Sequence, residues 1–399
     1  MNIFKKFYCR AYQTAFKLML PLLPYREPKL LHSNLELVQV LQDKNFKNVL
    51  LVTDKGIRGL KLTERLEKSI EKAGINLFVY DGTVPNPTTD NVAAALKVYK
   101  ENECECLIAF GGGSVMDCAK AVGARIARPN KTLKQMKGVL KVRKKIPTLI
   151  AVPTTAGTGS ETTLAAVITD SNTRHKYAIN DFPLIPSYAM LDPELTVGLP
   201  KHITSTTGMD ALTHAVEAYI GRSTTKETRQ RAKDAVRLVF ENILEVYNDG
   251  TNLQARENML TAAYYAGIAF TKSYVGYVHA VAHSLGGKYN VAHGYANAVI
   301  LPYMLKKFGK SVHKKLYELA VYAGLIDEYS TYEEGAYKFI KHIEYLNEKM
   351  EIGTKINGIE VKDIAELAAT AEKEANPLYP VPRLFTAKEL EEIYHQIRG

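Results

Sequence analysis

The feature that most constrains the fold is the regular alternation of short apolar runs and helical patterns between residues 48 and 192. Each apolar run ends in glycine or polar residues, and the runs read NVLLVTD, NLFVYDG, CLIAFGGG and TLIAVPTT. Patterns of helical period lie between them, near residues 57–73, 89–101 and 114–127. This alternation predicts buried parallel strands with helices on both faces of the sheet. Ligands of such sheets bind at the carboxyl ends of the strands.

The second half of the chain has a different pattern. From residue 200 onward it is rich in Ala, Leu, Glu and Lys, with helical periodicity and almost no strand signal. A chain of 399 residues is also too long for a single hydrophobic core. We therefore predict two domains: an α/β domain at residues 1–199 with a parallel, Rossmann-like sheet, and an all-helical domain at residues 200–399.

Composition narrows the class of protein. With 46% hydrophobic and 24% charged residues, the chain is typical of a globular protein. No run approaches the ~18 uncharged apolar residues of a membrane span. The net charge of +10 is spread along the chain, and no nucleic-acid-binding module is recognisable, so we expect no nucleic-acid partner. The four cysteines lack disulfide-scaffold or zinc-site spacing, which favours a reduced, cytoplasmic setting.

Residues 1–28 form an extension ahead of the strand–helix alternation. Aromatic and aliphatic residues recur in it at helical spacing, with Lys5, Lys6, Arg10 and Lys17 among them. Lys17 interrupts the apolar stretch and no small-residue cleavage site follows, which argues against a signal peptide. The pattern favours an amphipathic helix docked on the body of the protein or at a subunit interface. Contact with a membrane surface or a partner is the less favoured alternative.

A glycine-rich turn follows the third apolar run, in CLIAFGGGSVMDCAK. Gly111, Gly112 and Gly113 would let a pyrophosphate approach bare backbone, and the start of the next helix would supply N–H donors and a partial positive charge. Ser114 is a candidate N-cap, and Asp117 three residues later resembles a capping box. The turn is not a G-x-G-x-x-G motif, and similar turns occur without phosphate ligands.

A second polar loop, AVPTTAGTGSE, follows the next strand and carries Thr154 and Thr155. Two such loops at successive strand ends favour one phosphate-bearing ligand over a pair of flexible turns. Asp54 ends the first strand, where a carboxylate either accepts hydrogen bonds from an adenosine ribose, favouring NAD over NADP, or caps the following helix. Lys176 is a further candidate partner for a phosphate.

Four residues of the second half are spaced like ligands of one divalent metal. Asp210 and His214 lie four residues apart on a predicted helix, so both project from one face. His279 and His293 bracket a helical stretch interrupted by the Gly286-Gly287 pair, where we expect a break. Three imidazoles and one carboxylate are typical of a catalytic site with an open position. Each histidine alone is more often a packed core residue, so spacing by itself leaves both interpretations open.

With these motifs in order, the chain resembles the iron-dependent alcohol dehydrogenase family. The resemblance covers residues from about 48 to the C-terminus, and its motifs are TDKG, DGTVPNPT, GGGSVMDCAK, PTTAGTGSE, TGMDALTHAVEAY, HAVAHSLGGKYNVAHGYANAVILP and NPLYPVPRLFTAKEL. It implies the dehydroquinate synthase-like fold: a dinucleotide-binding α/β domain and a helical metal-binding domain, with the active site between them. A homodimer is also a family expectation.

The resemblance assigns roles to individual residues. The metal ligands would be Asp210, His214, His279 and His293, with Fe²⁺ the family expectation and Zn²⁺ suited to the same ligands. His283 matches a family histidine near the nicotinamide and would relay a proton. The NAD-binding residues would be Asp54 at the adenosine ribose and, around the phosphates, Gly111, Gly112, Gly113, Ser114, Asp117, Thr154, Thr155 and Lys176.

The predicted reaction is hydride transfer between a primary alcohol, or its aldehyde, and NAD. Alternatives on the same fold are a glycerol dehydrogenase-like enzyme, a dehydroquinate synthase-like lyase, or a non-catalytic protein recruited by its N-terminal helix. A metallohydrolase of the H-E-x-x-H type is disfavoured because Ala280 stands where that motif needs Glu.

The chain also departs from the family pattern at three places. The expected N-terminal strand is not recognisable in the first 45 residues. Ala165 stands where a diol-oxidising relative can carry a polar residue. Tyr274 and Tyr277 add bulk near His279. Together the last two features predict a pocket that is not specialised for small diols.

Overall fold

The computed structural model describes the whole chain, residues 1–399. Its nine strands are β1 (Lys29–Leu31), β2 (Asn48–Val52), β3 (Asn76–Tyr80), β4 (Cys106–Gly111), β5 (Gly138–Val139), β6 (Thr148–Pro153), β7 (Ala165–Thr169), β8 (Lys176–Asn180) and β9 (Tyr188–Met190). Its sixteen α-helices are α1 (Ile3–Met19), α2 (Asn34–Asp43), α3 (Lys55–Gly59), α4 (Glu64–Lys72), α5 (Thr89–Glu101), α6 (Gly113–Ala127), α7 (Leu133–Met136), α8 (Lys201–Ile220), α9 (Lys226–Asn248), α10 (Leu253–Ser273), α11 (Tyr277–Tyr289), α12 (His293–Phe308), α13 (His313–Tyr322), α14 (Tyr332–Lys349), α15 (Ile364–Ala375) and α16 (Ala387–Ile397).

Residues 24–198 form an α/β unit built on a six-stranded sheet. The strand order is β1-β9-β6-β4-β2-β3, and every neighbouring pair is parallel. The central strands are almost continuously apolar because helices cover both faces of a parallel sheet. The predicted fold class, a parallel sheet followed by a helical half, is confirmed.

Side chains of the sheet alternate between two separate cores. On β2, Leu50 and Val52 contribute to the core beneath α5 and α6, whereas Val49 and Leu51 contribute to the core beneath α2 and α4. All four side chains are fully buried. This two-sided burial fixes the register of the strands, since a slip of one residue would exchange the two faces.

The sheet has a switch point between β2 and β4. β3 pairs with one edge of β2 and β4 pairs with the other. The order in which strands are added to the sheet therefore reverses at β2. The Thr53 hydroxyl donates to the carbonyl of Phe110 at 2.8 Å, which ties the two strand ends together. Ligands of open parallel sheets bind in the crevice at such a switch point.

All four predicted strands are present, but several short strands were not predicted. β1 and β9 have three residues each and pair with one another, so a short N-terminal strand does exist in the segment where the sequence showed none. A second sheet, ordered β5-β8-β7, was also missed. The helical pattern at residues 57–73 divides into α3 and α4. Strands this short carry too few alternating residues to be recognised from periodicity.

The helical unit consists of residues 199–399 together with residues 1–23. Helix α8 is its centre, and every residue from Gly208 to Ile220 is buried. It packs against α9, α10 and α12. A helix buried on all sides must be apolar or have its polar groups satisfied, which makes polar residues on α8 informative.

The N-terminal helix α1 belongs to the helical unit, not to the α/β domain to which the sequence analysis assigned the extension. Its contacts are made with residues far along the chain: Gln13 Nε2 donates to the carbonyl of Tyr379 at 2.7 Å, and Arg10 Nη1 donates to that of Val381 at 2.7 Å. Sequence proximity to the first domain did not reveal this packing. Among all the helices, none combines the length and apolarity needed to cross a membrane.

Candidate functional site

Two of the predicted metal ligands lie on the buried helix α8. Asp210 and His214 occupy successive turns of one face and are 2% and 5% exposed. The first turn of α12 lies against α8, because a Cβ on Gly294 would be only 2.4 Å from the carbonyl oxygen of Thr206. Glycine is therefore required directly after His293 for α12 to reach the α8 ligands.

The structure brings all four predicted ligands together. The ligand atoms of Asp210, His214, His279 and His293 lie within 4.8 Å of one another. His279 is on α11, and His293 is the first residue of α12. The expected break at Gly286-Gly287 is wrong: α11 continues through both glycines, and the chain turns at Asn290, whose φ is +54°.

A buried carboxylate orients His279. Glu217 Oε2 accepts a hydrogen bond from His279 Nδ1 at 2.6 Å, and the same carboxylate accepts from the backbone N–H groups of Gly276 and Val278 at 2.9 and 2.8 Å. With the proton held on Nδ1, the lone pair on Nε2 faces the other three ligand residues. This carboxylate–histidine pair is the usual support of a metal-binding imidazole.

The protonation state of His279 also suits a ligand. Burial, followed by the neighbouring rings of His214 and His293, lowers the pKa of His279 well below its usual range. The ring is therefore neutral, which metal ligation requires. The His214 ring stacks on that of Phe270 with centroids 4.1 Å apart, so its plane is held as well.

Asn297, one turn after His293, lies at the centre of the cluster. Its amide nitrogen is 2.7 Å from Asp210 Oδ1, 3.2 Å from His279 Nε2 and 3.1 Å from His293 Nε2. Three possible acceptor atoms thus lie within 3.2 Å of one nitrogen atom, so the ligand atoms converge on one point. Three imidazoles and one carboxylate suit a divalent ion of the first transition row. The residues therefore fit the metal that the family resemblance implies.

His283 stands one turn beyond His279 and is partly exposed. Its Nδ1 lies 2.7 Å from Glu374 Oε1, which also accepts from the hydroxyl of Tyr379 at 2.7 Å. The His283 ring stacks beside that of His293 with centroids 5.1 Å apart. The Glu374 carboxylate beside Nδ1 favours the tautomer that carries its proton on that nitrogen.

In the α/β unit, the two polar loops are neighbours at the switch-point edge of the sheet. Gly111 pairs with Pro153 in the register of β4 and β6, and its carbonyl accepts from the N–H of Thr154 at 3.2 Å. A Cβ on Gly113 would lie 3.0 Å from Thr158 Cγ2, so a larger residue would require the Thr158 side chain to shift. The start of α6 therefore opens between the two loops, as a phosphate-binding turn requires.

The local capping prediction around Ser114 is wrong. Helix α6 begins at Gly113 with Gly112 as its N-cap, and the Ser114 hydroxyl instead accepts from the N–H of Asn86 at 3.3 Å. Asp117 does not cap the helix either. It is partly buried and accepts from Val167 N at 3.1 Å and from Ser160 Oγ at 3.3 Å. Its role in the structure is to tie α6 to β7 and to the threonine loop.

Lys120 also holds the threonine loop in place, and it was not identified from the sequence. Its ammonium group is fully buried, and its three N–H donors share four acceptors within 3.0 Å: the carbonyl and hydroxyl oxygens of Ser160, Thr163 Oγ1 and the carbonyl of Ala165. Burial lowers the pKa of Lys120, while the carboxylates of Asp117 and Glu161 oppose that shift. A charged group beneath the loop thus holds the 160–165 segment in one conformation.

Asp54 and Lys176 occupy less specialised positions. Asp54 Oδ1 accepts from Ile57 N at 2.9 Å, so this residue is the N-cap of α3 and one of its two interpretations is confirmed. Lys176 begins β8, and its ammonium group donates to Asn86 Oδ1 at 2.7 Å. Through Asn86, Lys176 and Ser114 are parts of one polar cluster in the α/β unit.

The predicted effect of the tyrosines on a pocket is wrong for Tyr277. This side chain is fully buried, and its hydroxyl donates to Asn376 Oδ1 at 2.9 Å and accepts from Phe385 N at 2.8 Å. It therefore secures the C-terminal segment and lines no pocket. Tyr274 has a positive φ of +61° after α10, and its ring packs edge-on against Phe16 of α1.

Some of the missed residues carried a sequence signal and others did not. Glu217 lies seven residues after Asp210, and Asn297 lies four after His293, so helical spacing places both on the ligand faces. Glu374 is separated from His283 by 91 residues, and no local pattern relates the two.

Comparison with known proteins extends these observations. The sequence model of the family described as iron-containing alcohol dehydrogenase matches residues 32–193, and the model of the C-terminal part of the Fe-containing alcohol dehydrogenase family matches residues 204–398. The chain is 38% identical over 354 residues to a 1,3-propanediol dehydrogenase of Citrobacter freundii, a match that covers 88% of this chain and 91% of the relative.

Solved structures of alcohol and aldehyde oxidoreductases are similar to this chain over most of its length. A 1,3-propanediol oxidoreductase superposes with a TM-score of 0.89 and 34% identity, covering 94% of this chain and 99% of that one. A sulfoacetaldehyde reductase of Bifidobacterium kashiwanohense, solved in complex with NAD+, superposes with a TM-score of 0.83 and 27% identity, covering 94% and 98%.

Replacing Lys120 by methionine should destabilise the α/β unit. Lys120→Met removes the ammonium group that carbonyl and hydroxyl oxygens of the 160–165 segment surround. Each buried acceptor left without a donor costs about 1–3 kcal/mol. Urea unfolding followed by circular dichroism would measure the shift in midpoint. The matched control is Lys97→Met, at an exposed position on α5. Equal midpoints for the two variants would show that Lys120 does not hold the loop.

Proposed function

Because the chain belongs to the iron-containing alcohol dehydrogenase family, we propose that it catalyses hydride transfer between a primary alcohol, or the corresponding aldehyde, and NAD. The observation that carries this proposal is the convergence of Asp210, His214, His279 and His293 within 4.8 Å. A glycine-rich turn at the start of α6 supports it, because turns of this kind can bind a phosphate.

Several of the sequence-based predictions are confirmed by the comparisons. They are the family, an enzyme of the iron-type alcohol dehydrogenase class, and the pairing of NAD with iron as cofactors of the family. A small alcohol or aldehyde as substrate follows from the enzyme class. The identity of that substrate, the homodimer and the cytoplasmic location stay predictions.

Asp210, His214, His279 and His293 would hold the metal. Fe²⁺ is the first candidate, because the family is iron-containing, and Zn²⁺ suits the same donors. When bound, such an ion supplies Lewis-acid polarisation of a substrate oxygen. The four residues together carry one negative charge, which would offset only part of the charge of a divalent cation.

The protein's own contribution at this cluster is orientation. Glu217 keeps the proton of His279 on Nδ1, so the Nε2 lone pair stays directed at the other ligands. Glu217 in turn is held by two backbone N–H donors, from Gly276 and Val278. The ligand geometry is therefore fixed before any metal arrives, which lowers the ordering cost of binding.

His283 would move the proton that alcohol oxidation releases. Its Nδ1 is engaged by Glu374, and 44% of its side chain is exposed, so the Nε2 position can exchange protons with water. Glu374 is a positioning residue in this proposal. Glu374 and Tyr379 fix the ring plane and its tautomer, and the ring itself carries the proton.

Residues of the α/β unit would bind NAD. Gly111, Gly112, Gly113 and Ser114 at the start of α6 offer backbone and hydroxyl donors to the phosphates, and Thr154 and Thr155 extend the same edge. Asp117 and Lys120 support the loops from within. Asp54 uses one carboxylate oxygen as a helix cap and has a second for the ribose, where its charge would disfavour the 2′-phosphate of NADP.

Formation of NADH from alcohols should depend on added metal. Protein stripped of metal and reconstituted anaerobically with Fe²⁺ or Zn²⁺ would be assayed with short primary alcohols, diols and glycerol, each with NAD and NADP. We expect turnover with NAD and primary alcohols, in the metal-loaded protein only. If metal and NAD bind but no alcohol or aldehyde reacts in either direction, the proposed reaction is wrong and a lyase-like or binding role gains support.

Retention of the metal should depend on the four ligand residues and on Glu217, which orients His279. His279→Ala removes a ligand and should abolish both bound metal and turnover. Glu217→Gln keeps the volume but loses the negative partner of His279, so affinity should fall about 10–100-fold. Metal content after dialysis against a chelator would measure both, with Glu241→Gln, on an exposed part of α9, as the matched control. Full metal retention by His279→Ala would contradict the assignment.

Removing the His283 ring should slow turnover without loss of metal. General acid–base groups contribute about 10²–10⁴-fold, so kcat of His283→Ala should fall about a hundredfold or more. Added imidazole should restore part of the rate, because the site is partly open to solvent. His395→Ala, at an exposed position on α16, is the control. An unchanged kcat in His283→Ala would assign the proton transfer to another group.

A further inference from the structure

The N-terminal helix α1 is packed on the helical unit by its more polar side. The residues that face the body are Cys9, Gln13 and Leu20, with Phe16 partly buried beside them. The contacts that hold this side are mostly hydrogen bonds from side chains to carbonyl oxygens. Arg10 donates to Val381 and Pro382 at 2.7 and 2.9 Å, and Gln13 donates to Tyr379 at 2.7 Å. The orientation of α1 is therefore fixed by the fold.

The opposite side of α1 is apolar and faces outward. Phe4, Phe7 and Leu18 are 80%, 76% and 72% exposed. Tyr8, Ala11 and Ala15 lie between them at helical spacing and are exposed as well. A helix of a globular protein normally turns its apolar stripe inward. An outward apolar stripe of this length, about 25 Å, indicates an interaction surface.

The charges around this stripe have one sign. Helix α1 contains four basic residues, Lys5, Lys6, Arg10 and Lys17, and no acidic residue. Lys6, Arg10 and Lys17 are neighbours on one flank of the helix, between the exposed stripe and the buried side. Lys5 lies on the other flank, where it pairs with Glu372 of the body at 2.6 Å.

A cationic groove continues the positive surface beside α1. The groove has a volume of about 550 Å³ and is lined by Lys226, Arg229, Lys233, Lys314 and Lys315. Its single carboxylate, Glu318, accepts from the hydroxyl of Tyr219 at 2.6 Å.

Two observations connect the groove with the helix. The Ser223 hydroxyl, just before α9, donates to the Gln13 carbonyl at 3.3 Å. Burial, together with the positive charges of Arg229, Lys17 and Arg222, lowers the pKa of Lys315 to about 8 against the opposing charge of Glu318, so the Lys315 ammonium group lies near Lys17 of α1. The Lys315 ammonium group donates to the carbonyl oxygens of Tyr219, Ile220 and Gly221 at the end of α8. The other basic side chains of the groove belong to the same unit as α1.

We infer that α1 and the cationic groove form a docking surface for the anionic headgroup face of a lipid bilayer. The helix would lie in the plane of the interface, with Phe4, Phe7 and Leu18 entering the boundary between headgroups and acyl chains. The basic side chains on its flank and in the groove would face the lipid phosphates. Since no helix can span a bilayer, the attachment is peripheral.

A second copy of the chain fits this surface less well. A two-fold dimer contact places the same patch on both partners, so the basic flank and groove of one copy would lie against a surface that is itself basic. Helix α1 offers no acidic residue to pair with the basic side chains. An anionic lipid surface complements both the apolar stripe and the charge, whereas self-association satisfies only the stripe.

Vesicle co-sedimentation of the full chain tests this inference. The vesicles would be phosphatidylcholine alone, and phosphatidylcholine mixed with phosphatidylglycerol in equal parts. We expect binding to the anionic vesicles that weakens as salt is raised, and little binding to the neutral ones. The double variant Phe4→Ser/Phe7→Ser should lose at least about tenfold in vesicle affinity, since two large apolar side chains no longer enter the interface.

Matched variants at other exposed positions show whether the loss of vesicle binding is specific to this surface. Leu35→Ser/Leu60→Ser removes two exposed leucines of the α/β unit and should leave vesicle binding unchanged. Lys226→Gln/Lys314→Gln should weaken binding to the anionic vesicles only, compared with Lys68→Gln/Lys97→Gln. Equal sedimentation of the Phe4/Phe7 variant and the unmodified chain would overturn the inference. So would light scattering that shows the stripe joining two copies while vesicles bind neither protein.

Discussion

The buried carboxylate of Glu217 is the interaction on which the metal cluster depends most. It projects from the central helix α8 and binds three donors of the segment that starts α11: the N–H groups of Gly276 and Val278 and the ring of His279. A Cβ at Gly276 would lie 2.6 Å from this carboxylate, so glycine is needed for the close approach. One side chain thereby ties α11 to α8 and sets the direction of a ligand ring. Burial raises the pKa of Glu217 to about 7, and the hydrogen bonds from Gly276, Val278 and His279 oppose this shift by stabilising the ionised form.

A second buried charge has the corresponding role in the α/β unit. The Lys120 ammonium group lies within 3.0 Å of four oxygen atoms of the 160–165 segment, and Asp117 links the same segment to α6 and β7. Neither side chain is exposed. Both therefore stabilise the conformation of the loop and do not contact a ligand directly. In both units, buried hydrogen-bond networks hold the residues that are proposed to bind cofactors. Such support is what keeps a binding site ordered before its ligand arrives.

Helix α1 shows how tertiary packing can reverse the usual meaning of an amphipathic pattern. Its spacing correctly predicted a helix, and the expectation of a helix docked on the body also agrees with the structure. The side that docks is the one with Arg10 and Gln13, however, because the carbonyl oxygens of Tyr379 and Val381 offer acceptors there. Amphipathicity alone cannot tell which side will face the body, since that depends on groups some 370 residues away in the chain.

The sequence by itself determined the parallel sheet, the helical second half and the four converging ligands. These features rest on local regularities: apolar runs of strand length, residues one turn apart on a helix, and motifs that resemble a family. Only the tertiary structure decided that Gly112 caps α6, that α11 runs through Gly286 and Gly287, that Tyr277 lies in the core, and that Glu374 reaches His283. Each of these outcomes depends on contacts between residues that are distant in sequence. Such contacts outweigh local preference because a buried polar group must find a hydrogen-bond partner wherever the fold provides one.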